Sequence, residues 1–413
     1  MRQRASLGIV FLIVFVDLLG FGIVVPQLGI YVDKYQGSAF VVGLLLSSYS
    51  LMQFLIAPRL GRLSDRIGRK PVLLYSLAGF VVASLVFAFA DSLWMLFVSR
   101  LLAGAAAANI STAQAYVADI TTEEKRAQGM AVIGAAFGLG FVLGPAMGGL
   151  LGSLGGNFAI GLASAFFSAV SFLLALFLLA EVPAAQRKKS QRRGPWWLWF
   201  KTPGFGLALL LSLLYMTAFT QMETTFAVYI LQKFVSTGAA TEGSLLRVHA
   251  AAEPQIHKQA STLVGWLFAA IGVVSVFVQA FAIRHFRKYF SEKHLVMLGS
   301  AFVALGLALF ILPTQFAWMF APAIAIAFGS ALYNPSLSAL VSRLVPPENY
   351  GEALGTYQSM GALGRILGPL LGGFLYTVFS PSATYFVAAG MVLLVCLGAW
   401  QLPRLKSNAL KSN

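Results

Sequence analysis

The sequence predicts an all-α integral membrane protein of twelve transmembrane helices arranged as two pseudo-symmetric six-helix bundles. Three observations predict it. Apolar runs of about 20 residues, the length needed to cross roughly 30 Å of hydrocarbon, recur from end to end of a 413-residue chain that is 58% hydrophobic and 10% charged. The basic residues fall on alternate connections, as topology requires. A segment of the first half, Gly140-Phe-Val-Leu-Gly144-Pro145-Ala-Met-Gly148-Gly149, returns as Gly364-Arg365-Ile-Leu-Gly368-Pro369-Leu-Leu-Gly372-Gly373, an offset of 224 from position 140 to position 364.

The expected spans are 6–31, 40–60, 71–90, 93–117, 128–152, 158–180, 205–232, 262–283, 295–312, 316–341, 352–377 and 382–402. The first apolar run is too long for the core of a signal peptide and lacks a small-residue cleavage site, so it stays as span 1. An even number of spans puts both termini on one side. Arg2, Arg4, Arg62 to Lys70, Lys125, Arg126, Arg187 to Arg193, Arg284 to Lys293 and Arg404 onward share that side, whereas the other has only Lys34, Lys233, Arg247 and Lys258. The expectation is a cell (inner, cytoplasmic) membrane location with both termini cytoplasmic. Residues 1–181 form the first bundle, 182–204 a basic cytoplasmic linker and 205–413 the second bundle. The linker ends in Trp196, Trp197, Trp199 and Phe200, rings suited to an interfacial belt. Residues 233–260 form an outer loop of about 28 residues, long against its neighbours.

Composition removes several functions. The net charge of +15 reads as topology and contact with anionic headgroups, not as nucleic-acid binding. Cys396 is the lone cysteine, the four histidines stand in loops or at span ends, and no cluster has metal-ligand spacing. No catalytic group, metal or cofactor is expected, and the chain is not expected to be an enzyme. It is expected to act as a monomer among membrane lipids.

The informative connection is Gly61-Arg-Leu-Ser-Asp65-Arg-Ile-Gly68-Arg69-Lys70-Pro-Val-Leu73, between spans 2 and 3. Gly61 and Gly68 suit a tight turn, and one carboxylate, Asp65, stands among four cations. In span 5, Gly140, Gly144 and Gly148 recur every four residues and so share one face, and Pro145 removes a helical hydrogen bond. Gly364, Gly368, Pro369 and Gly372 repeat the pattern in span 11. Four charges are embedded in apolar spans: Asp17, Arg100, Glu223 and Arg365. Each costs about 2.5–3.5 kcal/mol at midplane on insertion scales, which calls for a cavity or a partner. Asp17 lies about halfway across span 1, where desolvation and an approaching cation would pull its proton affinity in opposite directions. Arg100 is the natural cation, with Gly104 four residues on. Glu223 could meet a cationic cargo, load a second proton or reach the headgroups; Arg365 could line a cavity or pair with a carboxylate. Gln53, Asn109, Gln221, Tyr333, Asn334 and Gln358 are polar residues in apolar spans, open to either cavity lining or helix–helix hydrogen bonding.

The loop from Gly61 to Leu73 resembles, position for position, the signature loop of the major facilitator superfamily. The Gly140 to Gly149 segment is similar to that superfamily's antiporter motif. Asp17-Leu-Leu-Gly20-Phe-Gly22-Ile-Val-Val-Pro26 is similar to a motif of its twelve-helix drug:proton antiporters, tetracycline-efflux-like proteins in particular. The resemblance implies the major facilitator fold and proton-coupled export of a small, amphipathic compound by alternating access, with the proton gradient as energy source. It implies that Asp65 approaches the start of span 11 and that Arg69 pairs with Asp119, together a latch, and that the span 5 face meets its span 11 counterpart in a rocking seal. Asp17, Arg100 and Glu223 would couple protons to cargo. Uptake of a small metabolite, lipid flipping and a non-transporting sensor remain as other readings of the same scaffold. Asp65→Asn is expected to reduce transport strongly while leaving membrane insertion intact; vesicle transport at the native rate would remove the latch.

Overall fold

The computed structural model describes residues 2–107, 109–121, 123–181, 204–235, 253–345 and 350–403. Residues 182–203 of the expected linker and 236–252 of the outer loop lie outside them. Among the described residues there is no strand. The helices are α1 (Arg2–Val24), α2 (Leu28–Lys34), α3 (Ala39–Ile67), α4 (Arg69–Ala88), α5 (Leu93–Ala106), α6 (Asn109–Ile120), α7 (Glu123–Leu178), α8 (Phe205–Ile230), α9 (Glu253–Phe277), α10 (Ile283–Tyr289), α11 (Glu292–Leu309), α12 (Phe320–Arg343), α13 (Tyr350–Val378) and α14 (Pro381–Ala399).

Ten stretches are long and apolar enough to cross a membrane. One of them, Leu143–Leu178, is the later part of α7, whose 56 residues are long enough for two crossings and leave helical geometry at Gly155 and Gly156, where Gly156 has φ of 62°. The pair α5 and α6 supplies the remaining one, giving twelve. Pro26 places a 3-10 turn, Val25–Gln27, between α1 and α2, so the first crossing continues to Lys34. Pro145 does not interrupt α7: the only non-helical backbone inside it is at the two glycines.

Two compact units emerge. The first comprises residues 1–191 and 226–269, the second residues 192–225 and 270–413. In the first, α1 lies along α7. A Cβ added at Gly144 would stand 2.7 Å from the Gly22 Cα, and one at Gly148 would stand 2.2 Å from the Ile23 carbonyl oxygen. Lipid gives helices no hydrophobic reason to associate, so backbone contact of this kind carries much of the packing. Gly104 does the same for α5 against α3, with the Tyr49 carbonyl oxygen 2.2 Å from its would-be Cβ. In the second unit Gly364, Gly368 and Gly372 of α13 lie on Met216, Thr217, Thr220 and Gln221 of α8. The glycine faces therefore pack on the first helix of their own repeat.

Three further expectations shift. Gly61 sits inside the unbroken α3 with nothing within 4 Å of a Cβ, so Gly68 alone makes the turn, at φ of 118°. Residues 253–260 are the first turns of α9, not loop, because this polar stretch is held by contacts to α2 described below. The span 7 crossing runs on through a π turn to Val235, which puts Glu223 near its middle instead of its outer part. Gly148→Ala is expected to force α1 off α7 and destabilise the purified protein by about 1–3 kcal/mol. Gly61→Ala should leave its melting temperature unchanged or slightly raised, which a thermal unfolding series will read directly.

Candidate functional site

Around the start of α4 the first unit builds a tight polar clasp. Arg69 Nε donates to Asp119 Oδ2 at 2.8 Å, both side chains almost wholly buried. Its Nη1 donates to Ser64 Oγ at 2.6 Å, and that hydroxyl donates on to the Gly61 carbonyl. The backbone N–H groups of Arg69 and Lys70 both donate to the Glu181 carboxylate at 3.1 Å. Glu181 thus closes the positive end of α4, an N-terminal anion contact of the usual kind. It also fills the space a Cβ at Gly68 would need, 2.8 Å away. Nothing in the apolar pattern marks Glu181 for this role. The Asp65 side chain and residues 346–349 lie outside the described residues.

The second unit carries a matching clasp that the loop sequence conceals. Glu292, at the start of α11, accepts from Arg343 Nη1 at 2.9 Å, at the end of α12. Positions 119 and 343 are separated by the same 224 residues as the glycine motifs, so the acid of the first clasp stands where the base of the second does. The loop from Arg284 to Lys293 has lost the signature pattern; the same offset sets Lys293 opposite Arg69, and it is the neighbouring Glu292 that pairs with Arg343. The two are unequal in setting: Arg343 is 46% exposed, and Arg69 is 4% exposed. A charge-assisted hydrogen bond is stronger in the drier site.

Asp17 is buried at mid-depth in α1, 4% exposed, beside the cluster of Val14 and Leu18 with Tyr116, Ile133 and Ala136. Arg100 in α5 is 2% exposed. The structure does not join them. Arg100 donates from Nε and Nη2 to the Ser99 hydroxyl, at 3.3 and 3.1 Å, and lies over the Phe87 ring at 5.2 Å. No carboxylate of the described residues pairs with it. Phe21, four residues after Asp17 in α1, meets Tyr49 of α3 with tilted rings whose centroids are 4.8 Å apart.

The remaining candidates separate by environment. Gln53 donates to the Ala107 carbonyl at 3.1 Å, covering the interruption between α5 and α6. The Asn109 side chain lies outside the described residues. Gln221 is fully buried and donates to the Thr384 carbonyl at 2.7 Å, tying α8 to α14. Tyr333 is stacked on Tyr215 with centroids 3.7 Å apart and donates to the Leu211 carbonyl. These three hold helices together. Asn334 and Gln358 are exposed on α12 and α13. Glu223 on α8 and Arg365 on α13 are half-buried within electrostatic reach of each other.

One polar cluster escaped the sequence reading. At the far end of the first crossing, Asp33 Oδ2 and His257 Nε2 are 2.9 Å apart, bridging α2 to α9. Gln27 is completely buried nearby in chain, and the would-be Cβ of Gly152 meets both its Oε1 and Ser261 at 3.1 Å. Gly149 and Gly265 bring α7 and α9 into backbone contact beside it. The signal was only a lone acid ending an apolar run and a histidine in what read as loop.

An all-α set of membrane crossings, a duplicated glycine face and a charged clasp after the second crossing form a combination that known proteins share. The sequence model of the Major Facilitator Superfamily matches residues 10–252 and 235–413. The class C tetracycline resistance protein of Escherichia coli is 31% identical over 410 residues, covering 97% of this chain and 98% of that protein. The class G tetracycline resistance protein of Vibrio anguillarum is 31% identical over 408 residues, covering 97% and 98%. The crystal structure of the human organic anion transporter MFSD10 is similar with a TM-score of 0.69 at 26% identity, covering 97% of this chain and 100% of that one. With the motifs, the helices and nearly the whole length in agreement, this chain belongs to the major facilitator superfamily.

Proposed function

We propose that this transporter is a proton-coupled exporter of small amphipathic compounds, tetracyclines among them, working by alternating access. The observation that carries the reading is Asp17, a carboxyl buried at mid-depth in α1 within a chain aligned end to end with tetracycline resistance proteins. A charge at that depth is costly unless it is used or compensated. A carboxyl can escape the cost by taking up a proton, which is what a proton-driven carrier requires of it. Arg100 serves as its counter-charge in the conformation in which the proton has been released; here it rests on Ser99 and Phe87.

The clasp of Arg69, Asp119 and Glu181 supports the same cycle. It makes the cytoplasmic ends of α3, α4, α6 and α7 one rigid piece, so that motion is concentrated elsewhere. The cargo undergoes no bond change; the proton gradient supplies the energy, and no cofactor takes part. The one-sided Lys and Arg distribution supports cytoplasmic termini.

Asp17→Asn is expected to abolish tetracycline accumulation in inverted membrane vesicles driven by a pH gradient, while downhill exchange persists. Gradient-driven accumulation at the native level in this variant would refute the assignment.

A further inference from the structure

At the end of the crossings opposite the chain termini, the first compact unit takes in residues 226–269, although the duplication assigns α8 and α9 to the second half. One face of α9 makes the attachment. His257, Ser261 and Gly265 follow one another at spacings of four, so they line up along that face. Gly265 lies on the Gly149 backbone of α7. Ser261 Oγ is 3.1 Å from the would-be Cβ of Gly152, and so is Gln27 Oε1. His257 Nε2 is 2.9 Å from Asp33 Oδ2 of α2. On α2 as well, Gly29 allows a close approach to Val228 of α8, whose Cγ2 is 2.9 Å from its would-be Cβ.

The attachment is tightly packed at the glycines and poorly satisfied beyond them. Neither polar atom of the fully buried Gln27 side chain has a hydrogen-bond partner among the described residues, and neither does Asp33 Oδ1. Groups in that condition weigh against the packed arrangement, because water would satisfy them if the helices parted. The contact of Asp33 with His257 weighs for it, and its strength depends on a proton. With an imidazolium it is a charge-assisted bond in a nearly dry site, the two side chains being 2% and 14% exposed. With a neutral imidazole the attraction of opposite charges is gone. Histidine is the side chain whose ordinary charge change falls between about pH 5 and 8.

The other titratable groups at this end are placed differently. On α2, Tyr31 is buried and Lys34 lies over the Tyr35 ring. Beyond α8, Lys233 donates to the Tyr229 hydroxyl. Lys258 of α9 and Asp91 before α5 are exposed, and α7 has no charged residue from Gly140 to Asn157. The Glu253 side chain lies outside the described residues.

We propose that Asp33 and His257 are a proton-operated catch on the outer side of the transporter. A charged His257 holds α9 on α2; once it loses its proton the catch loosens, and the unsatisfied Gln27 favours parting. The proton comes from the outer solution and returns to it, so it is separate from any that Asp17 carries. Acid outside therefore favours the closed outer side. The proposal rests on the transporter reading and its orientation, and adds control of that cycle by external pH.

The test reads the separation of α2 and α9 by pulsed electron paramagnetic resonance on the full chain in lipid nanodiscs. Spin labels are carried at Lys34→Cys and Lys258→Cys, both exposed at this end, with Cys396→Ser removing the native thiol. Passing from about pH 8 to about pH 5.5 should raise the ratio of short to long separations about fivefold or more. His257→Gln and Asp33→Asn should each abolish that change. His257→Arg, whose charge is permanent, should hold the short separation at both pH values. A native ratio that does not move with pH, a response kept in both neutral variants, or a long separation in His257→Arg overturns the proposal. Asp17→Asn should keep the response; a response lost there and kept in His257→Gln would give the effect to Asp17 and overturn the catch. No transport is measured, so the catch can fail while proton-coupled export stands, and the reverse.

Discussion

Everything in this structure depends on helix backbones coming closer together than side chains normally allow. In lipid the apolar surface of a helix is already solvated, so packing has to come from direct contact and from polar groups that join across it. The chain meets that constraint with glycine. Gly144 and Gly148 against Gly22 and Ile23, and Gly368 and Gly372 against Thr217 and Gln221, are the same solution used twice, once in each repeat. Gly104 against Tyr49 is a third.

Close packing of this sort fixes where charge can go. Once α1 is locked on α7, Asp17 stays buried in α1. In the same manner α13, locked on α8, brings the Arg365 guanidinium and the Met216 methyl together beside Gly361. The ends of the helices are handled differently. There, Arg69 with Asp119 and Glu292 with Arg343 are direct ion pairs, and Glu181 caps a helix start with two backbone bonds. Among the described residues, the charges at the helix ends form direct ion pairs, whereas Arg100 within a crossing rests on a hydroxyl and a ring.

By itself the sequence determined the all-α membrane architecture, the twelve crossings, the duplication and the superfamily, because each is written in local features: run length, charge sidedness and a repeated glycine spacing. It also singled out Asp17, Arg100, Glu223 and Arg365, since a charge within an apolar run is visible without any fold. Tertiary structure decided which groups meet. It placed the glycine faces on α1 and α8, gave Arg100 to Ser99 instead of Asp17, moved Gly61 into a helix, and used Gln53, Gln221 and Tyr333 as ties between helices. It brought Glu181 to α4 across 112 positions and His257 to Asp33 across 224. A contact of that kind depends on the relative rotation and depth of two helices, which are set by many packed side chains at once and leave no periodic trace in either segment.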